Sequence, residues 1–205
     1  MATEIELKLS IIEAHDEDVL LQLKKCLVSL GLDQNFQTNK LENAYFDTLD
    51  LRLNAEKIAL RVRKKGGCYI QTLKTKGQSI NGLSKRGEWE WDLSQPKLNL
   101  EVLAQCDAWP QSINAGGLNI AFETNFTRHQ VEFTWEEATI ELALDRGDII
   151  SHGNRECINE LELELKSGNE NSLHLLCKEL QKFMTLVPSD ISKAERGYRL
   201  GKVAQ

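Results

Sequence analysis

Residues 160–166 read Glu-Leu-Glu-Leu-Glu-Leu-Lys, a run in which charged and apolar side chains alternate strictly. A period of two is typical of a β-strand with one polar and one apolar face. Turn signals at residues 65–67 (Lys-Gly-Gly) and 81–82 (Asn-Gly) indicate hairpins, and therefore antiparallel neighbours. The same alternation recurs in five further segments, which are residues 4–9, 60–63, 72–76, 88–92 and 141–145. The sequence therefore predicts a fold dominated by antiparallel strands.

Helical periodicity is confined to a few segments. One helix is predicted over residues 16–30, with its first residue as N-cap and Gly31 at its C-terminal end. A second is predicted from about residue 171 to residue 186, and a short third over residues 100–105. Residues 107–119 are predicted to form a loop. The fold class is thus all-β dominated (α+β), with helices flanking the strands.

Composition limits the classes of protein that fit. The chain has 205 residues with 31 acidic and 25 basic side chains, a formal charge of −6, which disfavours nucleic acid and anionic membranes as partners. Its five cysteines contain no Cys-x-x-Cys pair, and neither a signal peptide nor an apolar run long enough to span a membrane is seen. We therefore expect a single cytoplasmic domain over residues 1–205.

The charged faces of the strands carry side chains of both signs. The simplest explanation is that they are the solvated faces of a sandwich whose leucine faces form the core. The acid-rich strands, however, lie towards both ends of the chain, whereas bases dominate residues 60–76. The carboxylates of this set are Glu4, Glu6, Glu88, Glu90, Asp92, Glu141, Asp145, Glu160, Glu162 and Glu164, and the cations are Lys8, Arg61, Arg63, Lys74, Lys76, Arg86, Arg128 and Lys166.

This segregation by sign suggests a chemistry. Clustered carboxylates repel one another unless they are protonated or bridged by a hard cation, and oxygen ligands suit Mg²⁺ or Mn²⁺. Bases on the intervening strands would then bind the oxygens of an anion that the metal also coordinates, and a phosphate chain meets both demands. Such a site requires a barrel with a charged interior whose apolar faces turn outward onto helices. Trp89 and Trp91 would then lie beneath helices.

At this point the motifs resemble those of the CYTH family, whose members fold as eight antiparallel strands closed into a tunnel and act on triphosphates. The Glu-x-Glu-x-Lys signature at residues 4–8 is similar to the family's N-terminal motif. Further segments that match in the family's order are residues 43–48, 60–63, 72–77, 86–90, 160–168 and 192–198. The resemblance implies an eight-stranded antiparallel β-barrel tunnel with a charged interior and flanking helices.

Among CYTH proteins the chain looks most like the bacterial inorganic triphosphatases. These often carry a second, helical domain, so an appended helical domain in a longer natural chain is an open expectation. The implied activity is metal-dependent hydrolysis of tripolyphosphate to pyrophosphate and phosphate, with Mg²⁺ or Mn²⁺ as cofactor. Phe126 occupies a place where some relatives have lysine, so only Arg128 is carried over from that motif.

The resemblance also assigns roles to individual residues. The implied metal ligands are Glu4, Glu6, Glu162 and Glu164, with Glu88, Glu90 and Asp145 acting directly or through water. The implied phosphate-binding residues are Lys8, Arg61, Arg63, Lys74, Lys76, Arg86, Arg128, Lys193 and Arg196. For Lys193 and Arg196, a position on an ordinary C-terminal helix face is an equally good interpretation. The implied catalytic residues are Lys8, Tyr45, Lys74 and Arg128.

The implied nucleophile is a metal-activated water, assisted by a Tyr45–Lys74 pair like one proposed in some relatives. Two other enzyme activities share the tunnel and its acidic signature, namely class IV adenylate cyclase and thiamine triphosphatase. A polyphosphate-binding module without turnover is the alternative from a different class. The glutamates of the first and last charged strands disfavour that module, because bases alone would bind polyphosphate better.

Overall fold

The computed structural model describes residues 2–12 and 19–202, and within them the chain forms ten strands. Eight of these strands form the barrel, and two short strands, β5 and β10, each pair with one strand of it. The strands are β1 (Ala2–Ile11), β2 (Gln37–Asp47), β3 (Ala59–Lys65), β4 (Cys68–Lys74), β5 (Gln78–Ile80), β6 (Leu83–Leu93), β7 (Asn119–Trp135), β8 (Ala138–Ser151), β9 (Asn154–Ser167) and β10 (Leu186–Pro188).

The eight long strands close into an antiparallel barrel, as predicted. Their order is β1-β9-β8-β7-β2-β3-β4-β6, and β6 pairs back onto β1 to complete the circle. Strand β5 pairs with β6 and β10 pairs with β1, both antiparallel. The predicted turns at residues 65–67 and 81–82 connect β3 to β4 and β5 to β6.

The alternating sequence sets the two faces of the barrel wall. On β1, β9 and β8 the leucines stand opposite one another, as in the row Leu7, Leu163 and Leu142. These leucines are buried in a cluster with Leu23, Leu27, Leu173 and other apolar residues of two helices, which lie outside the barrel. The charged residues between the leucines therefore point into the barrel, because successive side chains of a strand face opposite sides.

Five α-helices and one 3₁₀ turn complete the described part of the chain. The predicted N-cap at residue 16 lies outside the described residues. The second predicted helix ends six residues early, at Leu180, and the chain then turns into β10. There Met184 and Leu186 are buried, and the side chain of Gln181 donates a hydrogen bond of 2.9 Å to the Leu186 carbonyl. The helices are α1 (Val19–Ser29), α2 (Arg52–Ala55), α3 (Leu100–Ala104), α4 (Asn171–Leu180) and α5 (Lys193–Lys202), and the 3₁₀ turn is Ala115–Gly117.

A second apolar cluster covers the opposite side of the barrel. It joins Leu60 and Leu73 of the barrel wall to Leu103 of α3, and Trp89 and Trp91 pack against it. The tryptophans thus lie under a helix and its neighbouring loop, as the sequence predicted. Within residues 2–12 and 19–202, no helix is both long and apolar enough to cross a membrane.

Candidate functional site

The barrel encloses a cavity of about 250 Å³. Its lining contains nine basic and seven acidic side chains, so it has a surplus of positive charge in a chain whose net charge is −6. The bases are Lys8, Arg61, Arg63, Lys65, Lys74, Arg86, Arg128, Lys166 and Lys193, and the acids are Glu4, Glu6, Glu88, Glu90, Glu141, Glu162 and Glu164. A local surplus of this sign favours an anionic ligand.

Three adjacent strands, β1, β9 and β8, form an acidic wall. Glu6 stands opposite Glu164, which stands opposite Glu141, so three carboxylates share one row. Like charges placed directly opposite each other destabilise a sheet. The Lys166 ammonium relieves part of this row, at 2.8 Å from Glu164 and 3.7 Å from Glu141.

Glu6 is the unsatisfied member of this wall. Its side chain is buried, and its Oε1 atom has no hydrogen-bond partner. Burial raises the pKa of Glu6 to about 7, and the negative charges of Glu162 and Glu4 contribute to the increase. A divalent cation would supply the missing counter-charge, so this wall suits a metal.

The opposite side of the barrel, formed by β2, β3 and β7, carries a basic wall. Arg61 and Arg63 project from β3 and Arg128 from β7. The buried amide of Asn43 holds Arg63 by accepting a 2.7 Å hydrogen bond from its Nε atom, while donating one of 2.9 Å to the Thr124 carbonyl. Burial, together with the neighbouring charges of Arg61 and Arg128, lowers the pKa of Arg63 to about 9. Within the described residues, no carboxylate lies at ion-pair distance from this guanidinium.

Glu4 lies between the two walls and is already paired. Its carboxylate accepts hydrogen bonds from Lys74 at 2.5 Å and from Arg86 at 2.8 Å. Burial alone would raise the pKa of Glu4, but the charges of Lys74 and Arg86 outweigh burial and hold it well below its usual range. Lys74 also contacts Glu88 at 3.1 Å.

A second group of acids lies deeper in the barrel, at Asp145, Glu160 and Glu162. One carboxylate oxygen from each lies within 4.8 Å of the others, a spacing that could hold a metal ion. The Lys193 ammonium is bound among them, at 2.7 Å from both Asp145 and Glu162 and in contact with Glu160. Arg128 forms a two-pronged pair with Asp145, with distances of 2.7 and 2.6 Å.

These cations change the role of Asp145. Burial raises the pKa of this fully buried carboxyl, but Arg128 and Lys193 lower it by more, so it stays ionised. Asp145 is not part of the cavity lining, whereas Arg128 and Lys193 are. In this arrangement the carboxylate orients the two cations towards the cavity.

Two predicted phosphate-binding residues lie outside this cavity. Lys76 lines an adjoining cavity. Arg196 on α5 points instead to Glu156 at 2.7 Å and Glu160 at 3.0 Å. All the other predicted site residues except Asp145 line the cavity.

Tyr45 lines the cavity next to the basic wall. Burial raises its pKa, but the charges of Arg61, Arg63 and Lys193 lower it by more, so the net shift is downward. Its predicted partner Lys74 makes its short contacts with two glutamates instead, as described above for Glu4 and Glu88. Tyr45 stands directly opposite Arg61 across β2 and β3, which makes Arg61 its basic neighbour.

The sequence prediction gave no role to several lining or supporting residues. Glu141 and Lys166 belonged to the predicted charged faces, but only the strand register places Glu141 in a row with Glu6 and within reach of Lys166. Asn43 lies in a segment that resembles the family, yet its support of Arg63 depends on β2 and β3 pairing in register. Lys65 follows Arg63 at a spacing of two, and this alternation was the signal that could have identified it.

Comparisons with known proteins agree with this geometry. The CYTH domain family matches residues 2–198. An inorganic triphosphatase from Haemophilus influenzae is 33% identical over 205 residues, covering 98% of this chain and 56% of the relative. The chain therefore spans about half the length of that curated relative.

Solved structures share the fold at lower identity. HpAC1 from Hippeastrum, described as an adenylyl cyclase with a dominant triphosphatase activity, is similar with a TM-score of 0.67 and 21% identity, covering 97% of this chain and 96% of that one. A Bacillus halodurans protein described as an adenylate cyclase is similar with a TM-score of 0.55 and 22% identity, covering 96% and 98%. With a family match over nearly its whole length and a barrel with a charged interior, the chain belongs to the CYTH family.

Proposed function

We propose that this chain hydrolyses inorganic triphosphate to pyrophosphate and phosphate inside the barrel, with Mg²⁺ or Mn²⁺ as cofactor. The observation that carries the proposal is the division of one enclosed cavity into an acidic wall with an unpartnered glutamate and a basic wall with an unpaired arginine. A triphosphate bound together with a divalent cation would satisfy both walls at once. The similarity to a curated inorganic triphosphatase supports the same substrate.

The residues present fit a divalent cation. Glu6 has a buried orphan oxygen next to Glu164, so these two, with Glu162 and Glu4, are the proposed leading ligands. Glu88 and Glu90 would contribute from the other edge of the cavity, and Glu141 joins them from the acidic row. The chemistry supplied by such an ion is Lewis acidity, which offsets phosphate charge and makes water a better nucleophile.

The bases of the cavity have a separate role in the proposed reaction. Oxygens of the phosphate chain would accept hydrogen bonds from the basic wall, which holds the chain in line and stabilises the charge on the departing pyrophosphate. Because Asp145 orients Arg128 and Lys193, we assign it a positioning role as well as its predicted one as a metal ligand, directly or through water. The proposed binding residues are Lys8, Arg61, Arg63, Lys74, Arg86, Arg128 and Lys193.

Tyr45 is our proposed partner of the attacking water. Its phenol lies in the cavity, and neighbouring cations lower its pKa, so at a given pH a larger fraction is ionised and able to accept a proton than for an ordinary tyrosine. Arg61, rather than Lys74, is the base placed opposite Tyr45 in the sheet.

A substrate panel tests this function. We expect tripolyphosphate to be hydrolysed at least about a hundredfold faster than ATP, because most of the cavity lining is charged and it offers little apolar surface for a nucleobase. Phosphate release should be measured with tripolyphosphate, pyrophosphate, ATP and thiamine triphosphate, each with Mg²⁺ and with Mn²⁺. Full activity in excess EDTA would refute the metal requirement, and cyclic AMP formed from ATP would identify a cyclase instead.

We further propose a cytoplasmic location. The five cysteines form no Cys-x-x-Cys pair, and those the structure describes are free thiols, as suits a reducing compartment. Fractionation of cells that express the protein tests this location.

A further inference from the structure

A second cavity, of about 350 Å³, adjoins the tunnel near the start of α5. It lies between the loop after β4, the end of α2 and the segment that leads into α5. The two cavities are adjacent and share the lining residues Lys8, Ala59, Lys74, Arg86, Ser192 and Ala194. We call this second cavity the rear chamber.

The two acidic side chains of the rear chamber are already engaged. Asp190 accepts hydrogen bonds of 2.7 Å from the Ser79 hydroxyl and 2.8 Å from the Gly82 backbone N–H. Glu195 accepts a 2.9 Å bond from the Ser192 backbone N–H, as part of the cap of α5. Neither acid pairs with a base of the chamber through these contacts.

The bases of the chamber include two without counter-ions. Lys57 and Lys76 are exposed, and within residues 2–12 and 19–202 neither ammonium has a carboxylate at ion-pair distance. The full basic lining is Lys8, Lys57, Lys74, Lys76 and Arg86, against the two engaged acids. The rear chamber therefore has a surplus of positive charge that continues the surplus of the tunnel.

The backbone fixes both lysines at the chamber. Lys57 follows α2 with a φ of 59°, a left-handed conformation that favours glycine, so a lysine at this place has a conformational cost. Lys76 precedes Gly77, whose backbone lies so close to β6 that an added Cβ would meet the Lys85 carbonyl oxygen at 2.2 Å. The preceding residue, Thr75, is fixed as well, because its backbone N–H donates a 3.0 Å bond to the Gly87 carbonyl.

We propose that the rear chamber is a phosphate-binding subsite that receives the end of an inorganic polyphosphate longer than three phosphates. Such a chain would pass Lys74 and Arg86, which line both cavities, and its terminal phosphate would be bound by Lys57 and Lys76. This inference rests on the proposed function, since it extends the phosphate chain bound in the tunnel.

The test compares tripolyphosphate with tetrapolyphosphate in the parent and in the double variant Lys57→Gly/Lys76→Ala. Glycine suits the left-handed backbone at residue 57, so this substitution removes the charge without straining the fold. A matched control, Lys40→Ala/Lys97→Ala, removes two exposed lysines that line neither cavity. The kcat/KM ratio of tetrapolyphosphate to tripolyphosphate should fall roughly tenfold in the double variant and stay constant in the control.

Binding without turnover separates this inference from the proposed function. Calorimetric titration in EDTA should show that the parent binds tetrapolyphosphate more tightly than tripolyphosphate, and that the double variant has lost this preference. The proposed subsite would be refuted if the parent did not prefer tetrapolyphosphate, or if the double variant kept this preference. Either outcome would count even if tripolyphosphate is hydrolysed. A parent that binds with the expected preference but hydrolyses no polyphosphate would refute the proposed function and leave the chamber intact.

Discussion

At the scale of one residue, Glu6 shows why the tunnel needs a cation. Its Oε1 atom is buried without a partner, and burial, together with the charges of Glu162 and Glu4, raises its pKa to about 7. A buried carboxyl group in this state contributes little to the stability of the fold at neutral pH, whereas pairing with a cation would stabilise it. A metal would therefore stabilise the folded protein through this side chain.

A pH dependence of stability follows for the metal-free protein. The pKa of Glu6 rises from 4.5 to about 7 on folding, so the folded state binds more protons than the unfolded state between these values. The free energy of unfolding should therefore decrease as pH rises through this window, by about 3 kcal/mol from this group. Glu4 and Glu162, whose pKa values are lowered, titrate below the window, so their stabilising contribution is present throughout it and is lost only at lower pH.

Urea unfolding in EDTA at about pH 5 and about pH 7.5 measures this effect. The variant Glu6→Gln lacks the titrating group and should lose less stability over the interval than the parent. Glu164, whose pKa is also raised, titrates in both proteins, so Glu6→Gln should keep part of the pH dependence. The exposed Glu132→Gln serves as control, and an identical pH dependence in parent and Glu6→Gln would contradict the buried state of Glu6.

At the scale of one element, α5 supplies a base to the tunnel. Its first residue, Lys193, reaches the acids of β8 and β9, while Gly197 one turn later packs on the ring of Phe122. That ring is itself confined, because it stacks on Tyr45 at 4.5 Å and meets the edge of Tyr198 at 5.0 Å. The position of Lys193 thus depends on the close contact between Gly197 and the Phe122 ring, one turn further along α5.

Gly197→Ala should reveal this dependence. An added Cβ would lie 2.3 Å from two atoms of the Phe122 ring, so α5 must shift, at a cost of about 1–3 kcal/mol that exceeds the gain in helix propensity. The melting temperature and the rate of tripolyphosphate hydrolysis should both decrease. Gly201→Ala in the same helix meets first the movable Ser151 hydroxyl, at 2.9 Å, and should have a smaller effect. Equal behaviour of the two variants would show that α5 adjusts freely.

The elements also show which parts of the site the sequence could predict. Alternation along β1, β3 and β9 correctly placed their charged residues inside the barrel, because strand phase fixes the direction of every second side chain. Lys76 lies beyond the end of β4 at Lys74, where that phase no longer applies. Arg196 was unpredictable for a different reason, since its direction depends on how α5 is rotated against the barrel. The row of Glu6, Glu164 and Glu141 needs the register of strands distant in sequence.

At the scale of the whole molecule, binding should relieve repulsion among the tunnel bases. Tripolyphosphate with metal at a hundredfold excess over Kd should stabilise the fold by about 2.7 kcal/mol and raise Tm by roughly 5–10 °C. The Arg63→Met variant should lose much of this shift. Without ligand it should be at least as stable as the parent, because Arg61 and Arg128 repel Arg63 in the empty tunnel.

Lys74→Met is the contrasting variant for the same measurement. Lys74 pairs with Glu4 and Glu88, so its loss leaves two acids with fewer partners and should lower the stability of the unliganded protein. Differential scanning fluorimetry with and without ligand distinguishes the two variants. An unliganded Arg63→Met protein that is less stable than Lys74→Met would mean that the bond from Arg63 to Asn43 outweighs the repulsion, and that Arg63 is a structural residue rather than a free phosphate-binding base.

Closure of the barrel by β1 has a consequence for how the protein is made. Strand β1 is synthesised before its partners, since it pairs with residues 83–88 of β6, with residues 160–164 of β9 and with β10. Its glutamates therefore have no acidic wall to join until most of the chain has been synthesised. Because such distant contacts form slowly, the nascent chain must keep a strand with alternating leucines free of wrong partners for most of translation. The proposed metal site is therefore complete only after β9 has been synthesised, and a chain that terminates before β9 would lack it.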